Sequence, residues 1–184
     1  ARLLLFSRSA FAPPADWDRW LQQHPADDPV SAVIRRLRGM EALGAELMLA
    51  QADVTDEAAL AAAHQAARAR WGAVHGLVHA AGLPGAGLVA LQSPAQAAQV
   101  LAAKREGTQA LLRVFGAGLD FMVLCSSLTS FVALPGRAAY TAANLWLDTF
   151  AQSRAGQQPP VLALNWDNWR EGGMARAAGT AALG

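Results

Sequence analysis

The chain has very little of several residue types, and each scarcity excludes a class of protein. Its single cysteine, Cys125, forbids an internal disulfide and any cysteine-based metal cluster. Only 16% of the 184 residues are charged, and 15 basic against 14 acidic side chains leave a net charge of +1. The broad basic face of a nucleic-acid-binding protein is therefore not expected. Long apolar runs are also lacking, because stretches such as 121–125 are far shorter than the roughly 20 residues that cross a bilayer.

The residues that are abundant indicate a folded protein. Hydrophobic side chains make up 53% of the sequence, which is enough to build a sizeable core in one domain of this length. We expect a soluble, cytoplasmic chain that binds neither nucleic acid nor a membrane. His24, His64 and His75 are scattered along the chain, so no metal site is predicted.

Short, continuously apolar runs alternate with helical stretches along the chain. The apolar runs are residues 3–6, 47–50, 76–79, 121–125 and 161–164. Continuous hydrophobicity is typical of strands buried on both faces, as in a parallel sheet covered by helices. Helical stretches are predicted over residues 56–70, about 94–115 and 137–155. The alternation predicts an open, doubly wound α/β domain.

Residues 10–28 interrupt this alternation as a predicted loop and short helix. Trp17 and Trp20 are three residues apart and therefore share one face of that helix. We expect them to dock the insertion onto the body of the domain, because amphipathic helices usually bury their apolar face. A patch that binds a partner protein is the alternative.

Polar or very small residues follow each predicted strand, where an open parallel sheet binds its ligands. A guanidinium at Arg8 suits a ribose 2′-phosphate, and no acidic residue precedes Asp16, so NADP(H) is favoured over NAD(H). A solvated surface arginine is the alternative. Asp53 is placed to bind an adenine amino group or to cap the next helix. The predicted cofactor-binding residues are Ser7, Arg8, Ser9, Asp53, Val54, Ala80, Ala81 and Gly82.

A second constellation suits ketone reduction. Lys104 is the only lysine and Tyr140 the only tyrosine; Ser127 ends a predicted strand, and Asn144 lies one helical turn after Tyr140. A phenol, with an ordinary pKa of about 10, holds a proton at neutral pH that it can give to a developing alkoxide. A nearby ammonium eases that transfer, and a serine hydroxyl can donate a second hydrogen bond. The alternative is that the tyrosine packs and the lysine is solvated.

The sequence resembles the ketoreductase domain of modular polyketide synthases, a branch of the short-chain dehydrogenase/reductase superfamily. The superfamily at large carries Tyr-x-x-x-Lys, whereas Asn144 stands here where that lysine would be, and Lys104 lies upstream. This exchange is shown by polyketide and animal fatty acid synthase ketoreductases. The resemblance is carried by residues 3–9, 52–56, 78–82, 100–107, 125–128, 135–148 and 163–174.

The resemblance implies a Rossmann-like fold and NADPH-dependent reduction of a β-ketoacyl thioester held on an acyl carrier protein, beside other synthase domains. It makes Tyr140 the proton donor, assisted by Ser127, with Lys104 and Asn144 completing a tetrad. Pro84 and Val132 stand at positions that mark the stereochemical classes, and Pro84 disfavours the class that has Leu-Asp-Asp there. Trp166 and Met174 fall in the stretch where the substrate-side loop and lid begin.

The family's first strand and glycine-rich turn precede the position of Leu3 and are not found in this sequence. We therefore expect residues 1–184 to be a ketoreductase catalytic domain truncated at its N-terminus, and also at its C-terminus. Such a fragment is expected to bind NADPH poorly. Two alternatives to the reductase of a synthase remain: a redox-silent structural domain that braces its neighbours, and a stand-alone reductase of a small ketone.

Overall fold

The computed structural model describes residues 1–85, 87–132 and 134–169. The chain divides into two compact units. Unit 1 comprises residues 1–53 and 58–72, and unit 2 comprises residues 54–57 together with the described residues from 73 onwards. No helix in the described part of the chain is both long and apolar enough to cross a membrane.

Unit 1 is built on two parallel strands, β1 (Arg2–Ser7) and β2 (Glu46–Gln51), which pair along their whole length. Between them lie α1 (Trp17–Gln23) and α2 (Pro29–Ala42), and α3 (Glu57–Trp71) follows β2.

A small apolar cluster holds unit 1 together. Trp17, Ile34 and Leu37 are buried in it, and Trp20 packs against its edge. Trp17 also donates its indole N–H to the carbonyl oxygen of Ala12 at 2.8 Å. The two tryptophans therefore dock residues 10–28 onto unit 1.

Unit 2 contains a sheet in the order β3-β4-β5, with every pair parallel. Its strands are β3 (Gly76–His79), β4 (Phe121–Ser127) and β5 (Val161–Trp166). Helix α4 (Pro94–Phe115) connects β3 to β4, and α5 (Ala138–Ser153) connects β4 to β5. All five strands include the predicted apolar runs, and the predicted parallel α/β fold is confirmed.

Local sequence signals explain where the helices of unit 2 begin. The Ser93 side chain accepts a hydrogen bond from the backbone of Gln96, whose side chain bonds back to the Ser93 N–H, so α4 begins with a capping box. Gly136, with a φ of +73°, makes the turn before α5 in a conformation that other residues rarely adopt. Val100 of α4 then packs against Ala139 and Ala143 of α5.

Candidate active site

Lys104 is buried in unit 2, with only 3% of its surface exposed. Its ammonium donates a hydrogen bond to the carbonyl oxygen of Cys125 in β4 at 2.7 Å. Burial disfavours the charged form and lowers the pKa of Lys104 to about 8. One turn further along α4, Gly107 lets the side chain of Val54 approach, because a Cβ there would lie 2.6 Å from a Val54 methyl carbon. The alternative of a solvated lysine is therefore not what the structure shows.

His79, the last residue of β3, is buried close to Lys104. Burial, and then the ammonium of Lys104, lower the pKa of His79 to about 3. The backbone at Ala103 and Lys104 favours the protonated form but does not outweigh these two effects. The imidazole is therefore neutral at physiological pH.

Ser127 occupies the last position of β4 and is half-buried. Its Oγ accepts a hydrogen bond from the backbone N–H of Thr129 at 3.3 Å. Tyr140, in the first turn of α5, is also half-buried and packs against the cluster at the α4–α5 contact. The guanidinium of Arg137 lies 6.0 Å from the centre of the tyrosine ring, at the outer limit of a cation–π contact.

Asn144 is fully buried one turn after Tyr140. Its side-chain Nδ2 donates to the carbonyl oxygen of Tyr140 at 2.8 Å. Within the described residues, its Oδ1 is a buried acceptor that has no hydrogen-bond donor. Its backbone carbonyl oxygen accepts a hydrogen bond from Ser126 Oγ at 3.2 Å, which ties α5 to β4.

The four residues predicted to be catalytic come from three elements that meet near the carboxyl end of β4. The buried ammonium on α4 contacts β4 at Cys125, and α5 contacts β4 at Ser126. Both contacts lie within two residues of Ser127. This arrangement places the Ser127 hydroxyl and one buried positive charge near the end of a single strand, which is chemistry suited to stabilising a developing oxyanion.

The predicted cofactor-binding residues of unit 1 lie at the ends of its two strands. Ser7 closes β1 and is half-buried, whereas the side chains of Arg8 and Ser9 are exposed. The carbonyl oxygen of Arg8 accepts a hydrogen bond from the side chain of Gln51 at 2.9 Å, which fixes the backbone after β1 against the end of β2. Asp53, two residues beyond β2, is exposed.

The remaining predicted cofactor-binding residues belong to unit 2. Ala80 and Ala81 are exposed directly after β3, and Gly82 is half-buried. Their small side chains leave the backbone open to the close approach of a flat ring. Val54 packs against α4 at Gly107.

Three of the four predicted substrate-side residues lie in the part of the chain that the structure describes. Pro84 is half-buried, and Val132 is 61% exposed in the segment after β4. Trp166 ends β5, is partly exposed, and packs its ring against that of Trp169 with 4.9 Å between centroids. Met174 lies outside the described residues. No cluster of three or more histidine, cysteine, aspartate or glutamate side chains suited to a metal ion occurs in residues that the structure describes.

A partly buried polar pair next to this site was not predicted from the sequence. Asp148 of α5 is 6% exposed and lies 2.9 Å from the side-chain nitrogen of Asn165 in β5. One signal was available: Asp148 follows Asn144 by four residues, so a charged residue lies on the same helix face as a predicted site residue.

A family model and a curated relative both match this chain over most of its length. The family model described as "KR domain" matches residues 1–171. The 6-methylsalicylic acid synthase of Aspergillus niger is 34% identical over 179 residues, which are 96% of this chain and 10% of the synthase. The chain therefore spans about a tenth of that relative's length.

Solved structures with similar folds include two ketoreductases. One is described as the ketoreductase from the first module of phoslactomycin biosynthesis in Streptomyces sp. HK803, with 30% identity and a TM-score of 0.73. The structural match covers 94% of this chain and 36% of the phoslactomycin ketoreductase chain. The other is an N-terminal ketoreductase from the macrolactin assembly line, with 27% identity and a TM-score of 0.76, covering 92% of this chain and 32% of that one.

Proposed function

Because this chain belongs to the KR (ketoreductase) domain family, we propose that it reduces a β-ketoacyl thioester, held on an acyl carrier protein, to the β-hydroxyacyl product. NADPH, when bound, supplies the hydride. One observation carries the proposal: Lys104 is buried against the strand that ends in Ser127, and its helix packs against the helix that carries Tyr140.

Tyr140 is the proposed proton donor. Arrival of a hydride at the ketone carbon places negative charge on the oxygen, which then needs a proton. A phenol supplies that proton, and Ser127, at the end of β4, donates a second hydrogen bond to the same oxygen. Proton donation of this kind typically contributes about 10²–10⁴-fold to the rate, and one oxyanion donor about 10²–10³-fold.

Lys104 and Asn144 support that transfer. With a pKa of about 8, the lysine carries its charge at neutral pH, and a positive charge nearby favours the phenolate that remains after the proton leaves. Asn144 uses its Nδ2 to hold the Tyr140 carbonyl, and its Oδ1 is available to a water molecule or to the ammonium. As the pH rises through about 8, Lys104 loses its charge and this support weakens.

The cofactor is proposed to be NADPH because of the residues after β1 and β2. The exposed guanidinium of Arg8 would bind the 2′-phosphate, and Ser7 and Ser9 flank it. Asp53 would accept a hydrogen bond from the adenine amino group. In unit 2, Val54 and residues 80–82 (Ala80, Ala81 and Gly82) are the further residues proposed to bind the cofactor.

The substrate is proposed to be an acyl chain delivered by an acyl carrier protein, with neighbouring synthase domains as the other partners. Phe131, Val132 and Leu134 expose apolar side chains after β4, which suits an aliphatic chain better than a charged one. Pro84, Trp166 and Met174 are proposed to contact or cover the same substrate. The fungal relative, a synthase ten times the length of this chain, supports an origin within a larger polypeptide.

The test is reduction by the complete gene product of a β-ketoacyl thioester of N-acetylcysteamine, a small surrogate for the carrier-bound substrate. Loss of reduced-nicotinamide absorbance is followed with NADPH and with NADH, and the product is resolved by chiral chromatography. We expect one β-hydroxyacyl product per NADPH consumed, with NADH much slower. Replacing Arg8 with Ala should reduce the difference in rate between NADPH and NADH.

The same assay separates the alternatives. A structural domain without redox activity would consume no NADPH although it is folded. A stand-alone reductase would turn over free small ketones faster than the thioester. Either outcome overturns the proposed function.

A further inference from the structure

A partly buried polar network lies next to Ser127. The side-chain nitrogen of Asn165 is 2.9 Å and 3.1 Å from the two carboxylate oxygens of Asp148 and 3.0 Å from Ser130 Oγ. Ser126 Oγ and the Ser127 carbonyl oxygen lie slightly farther away, at 3.2 Å and 3.4 Å. A primary amide has only two N–H donors, so the nearer partners, the carboxylate and Ser130, define the network.

The network joins three elements of unit 2 through atoms next to the site. Asn165 is on β5, Asp148 is on α5, and the serines are at the end of β4 and in the short turn that follows. Ser130 Oγ donates to the carbonyl oxygen of Ser127 at 2.9 Å, and Ser126 Oγ donates to that of Asn144. The network serines therefore hold the backbone carbonyl groups of two proposed catalytic residues, Ser127 and Asn144.

Packing alone does not account for these residue types. An apolar pair of similar volume would fill the space without the cost of removing a carboxylate from water. Asp148 instead lies two turns after Tyr140 and one turn after Asn144, on one face of α5. A carboxylate at this position fixes the rotation of α5 relative to β5, because the amide it accepts from is anchored in the sheet.

We propose that Asp148 and Asn165 are positioning residues, which set the distance and orientation between Ser127 on β4 and Tyr140 on α5 so that both hydroxyls reach one carbonyl oxygen. The inference rests on the proposed function, since it concerns the geometry of that reaction. A displacement of the order of 1 Å in such a geometry costs about 10²-fold in rate, so a small change in the network has a measurable effect.

The first experiment compares three variants of the complete gene product in the thioester assay. Asn165→Asp sets two carboxylates against each other and is expected to lower kcat by about 10- to 100-fold, with little change in KM. Asp148→Asn removes the charge with minimal change in shape and should have a smaller effect in the same direction. The double exchange, Asn165→Asp with Asp148→Asn, restores one amide and one carboxylate, and should return most of the lost turnover.

A matched control is Asp120→Asn, the same chemical change at an exposed aspartate of unit 2. It should leave kcat and KM unchanged. The pH profile provides a second readout: two adjacent carboxylates share a proton as the pH falls, so part of the turnover lost in Asn165→Asp should return on acidification. Thermal unfolding of every variant is measured alongside.

Recovery of kcat in the double exchange supports the proposal. If the double exchange recovers the unfolding temperature but not kcat, or if Asn165→Asp keeps full turnover, the positioning role is wrong. Failure of the wild-type protein to reduce the thioester overturns the proposed function and this inference together, so the two failures are distinguished by the wild-type assay alone.

Discussion

In unit 1 the buried cluster consists of Trp17, Ile34 and Leu37, and charges are paired at the surface, as Arg38 and Asp18 are. In unit 2 the buried residues include a lysine, a histidine, an asparagine and an aspartate, and all four lie on the elements around the end of β4. Among the described residues of unit 1, Ser31 is the one buried polar side chain.

The difference shows where the protein accepts an energetic cost. Burying a polar group costs free energy unless it is hydrogen-bonded, and burying a charge costs more. The apolar cluster of unit 1 avoids that cost, whereas unit 2 concentrates it around Ser127. Changes to the core of unit 1 should therefore alter stability, and changes to the buried polar groups of unit 2 should alter turnover or its pH dependence.

The largest effect is expected from Tyr140→Phe, which removes the proposed proton donor and leaves the packed ring in place. Turnover of the β-ketoacyl thioester should fall by about 10²–10⁴-fold, with the unfolding temperature unchanged. Single-turnover kinetics at saturating NADPH measure the loss of rate. Full activity in this variant would show that Tyr140 is not the proton donor, and the buried polar groups of unit 2 would then not be tied to the reaction.

Trp17→Ala should have the next largest effect, and this effect is on the free energy of unfolding. It empties the centre of the unit 1 cluster and removes the indole hydrogen bond to Ala12, so the free energy of unfolding should fall by about 3–5 kcal/mol. Denaturant titration measures the loss. Trp169→Ala, at an exposed tryptophan, is the control and should change it little; equal losses would contradict the assigned core.

A smaller effect follows from His79, whose pKa of about 3 lies below its ordinary value of 6.5. Between these values the unfolded chain binds more protons than the folded one, so stability falls as the pH drops. From pH 7 to pH 5 the contribution is about 2 kcal/mol. His79→Gln should flatten this part of the stability profile, and His75→Gln, at an exposed histidine, should not.

The smallest effect is expected from Asp18→Asn, which breaks the exposed ion pair with Arg38 in unit 1. Exposed pairs contribute at most about 1 kcal/mol, so denaturant titration should detect little change. Asp148→Asn makes the same chemical change in the buried network of unit 2. If the two variants had equal effects on stability and on turnover, burial would not be what separates the two units.

The sequence predicted the elements of the fold well because their signals are local. The apolar run at 76–79 coincides with β3, and Ser93 with Pro94 marks the beginning of α4. Helix α2, by contrast, had no predicted bounds, although Asp28 caps it by accepting from the Ser31 N–H. The separation into two units was not predicted, because it depends on contacts between distant segments.

The site was predicted in part. Spacing of four residues placed Asn144 beside Tyr140, and the structure joins them through the Asn144 amide. The pairing of Asp148 with Asn165 could not be read from spacing, because it depends on how α5 lies against β5. The burial of Lys104 could not be predicted from the sequence either, because a single lysine on a helix is equally compatible with a solvated position.

Helix α5 carries Tyr140, Asn144 and Asp148 at intervals of four residues, and this has a consequence for how such a domain can change over evolution. Inserting or deleting one residue between Tyr140 and Asp148 would rotate one about the helix axis relative to the other by about 100°. Such a change would disrupt the network and the position of the proposed proton donor together. We therefore expect lineages to vary this helix by substitution alone and to place length changes in the loops on either side.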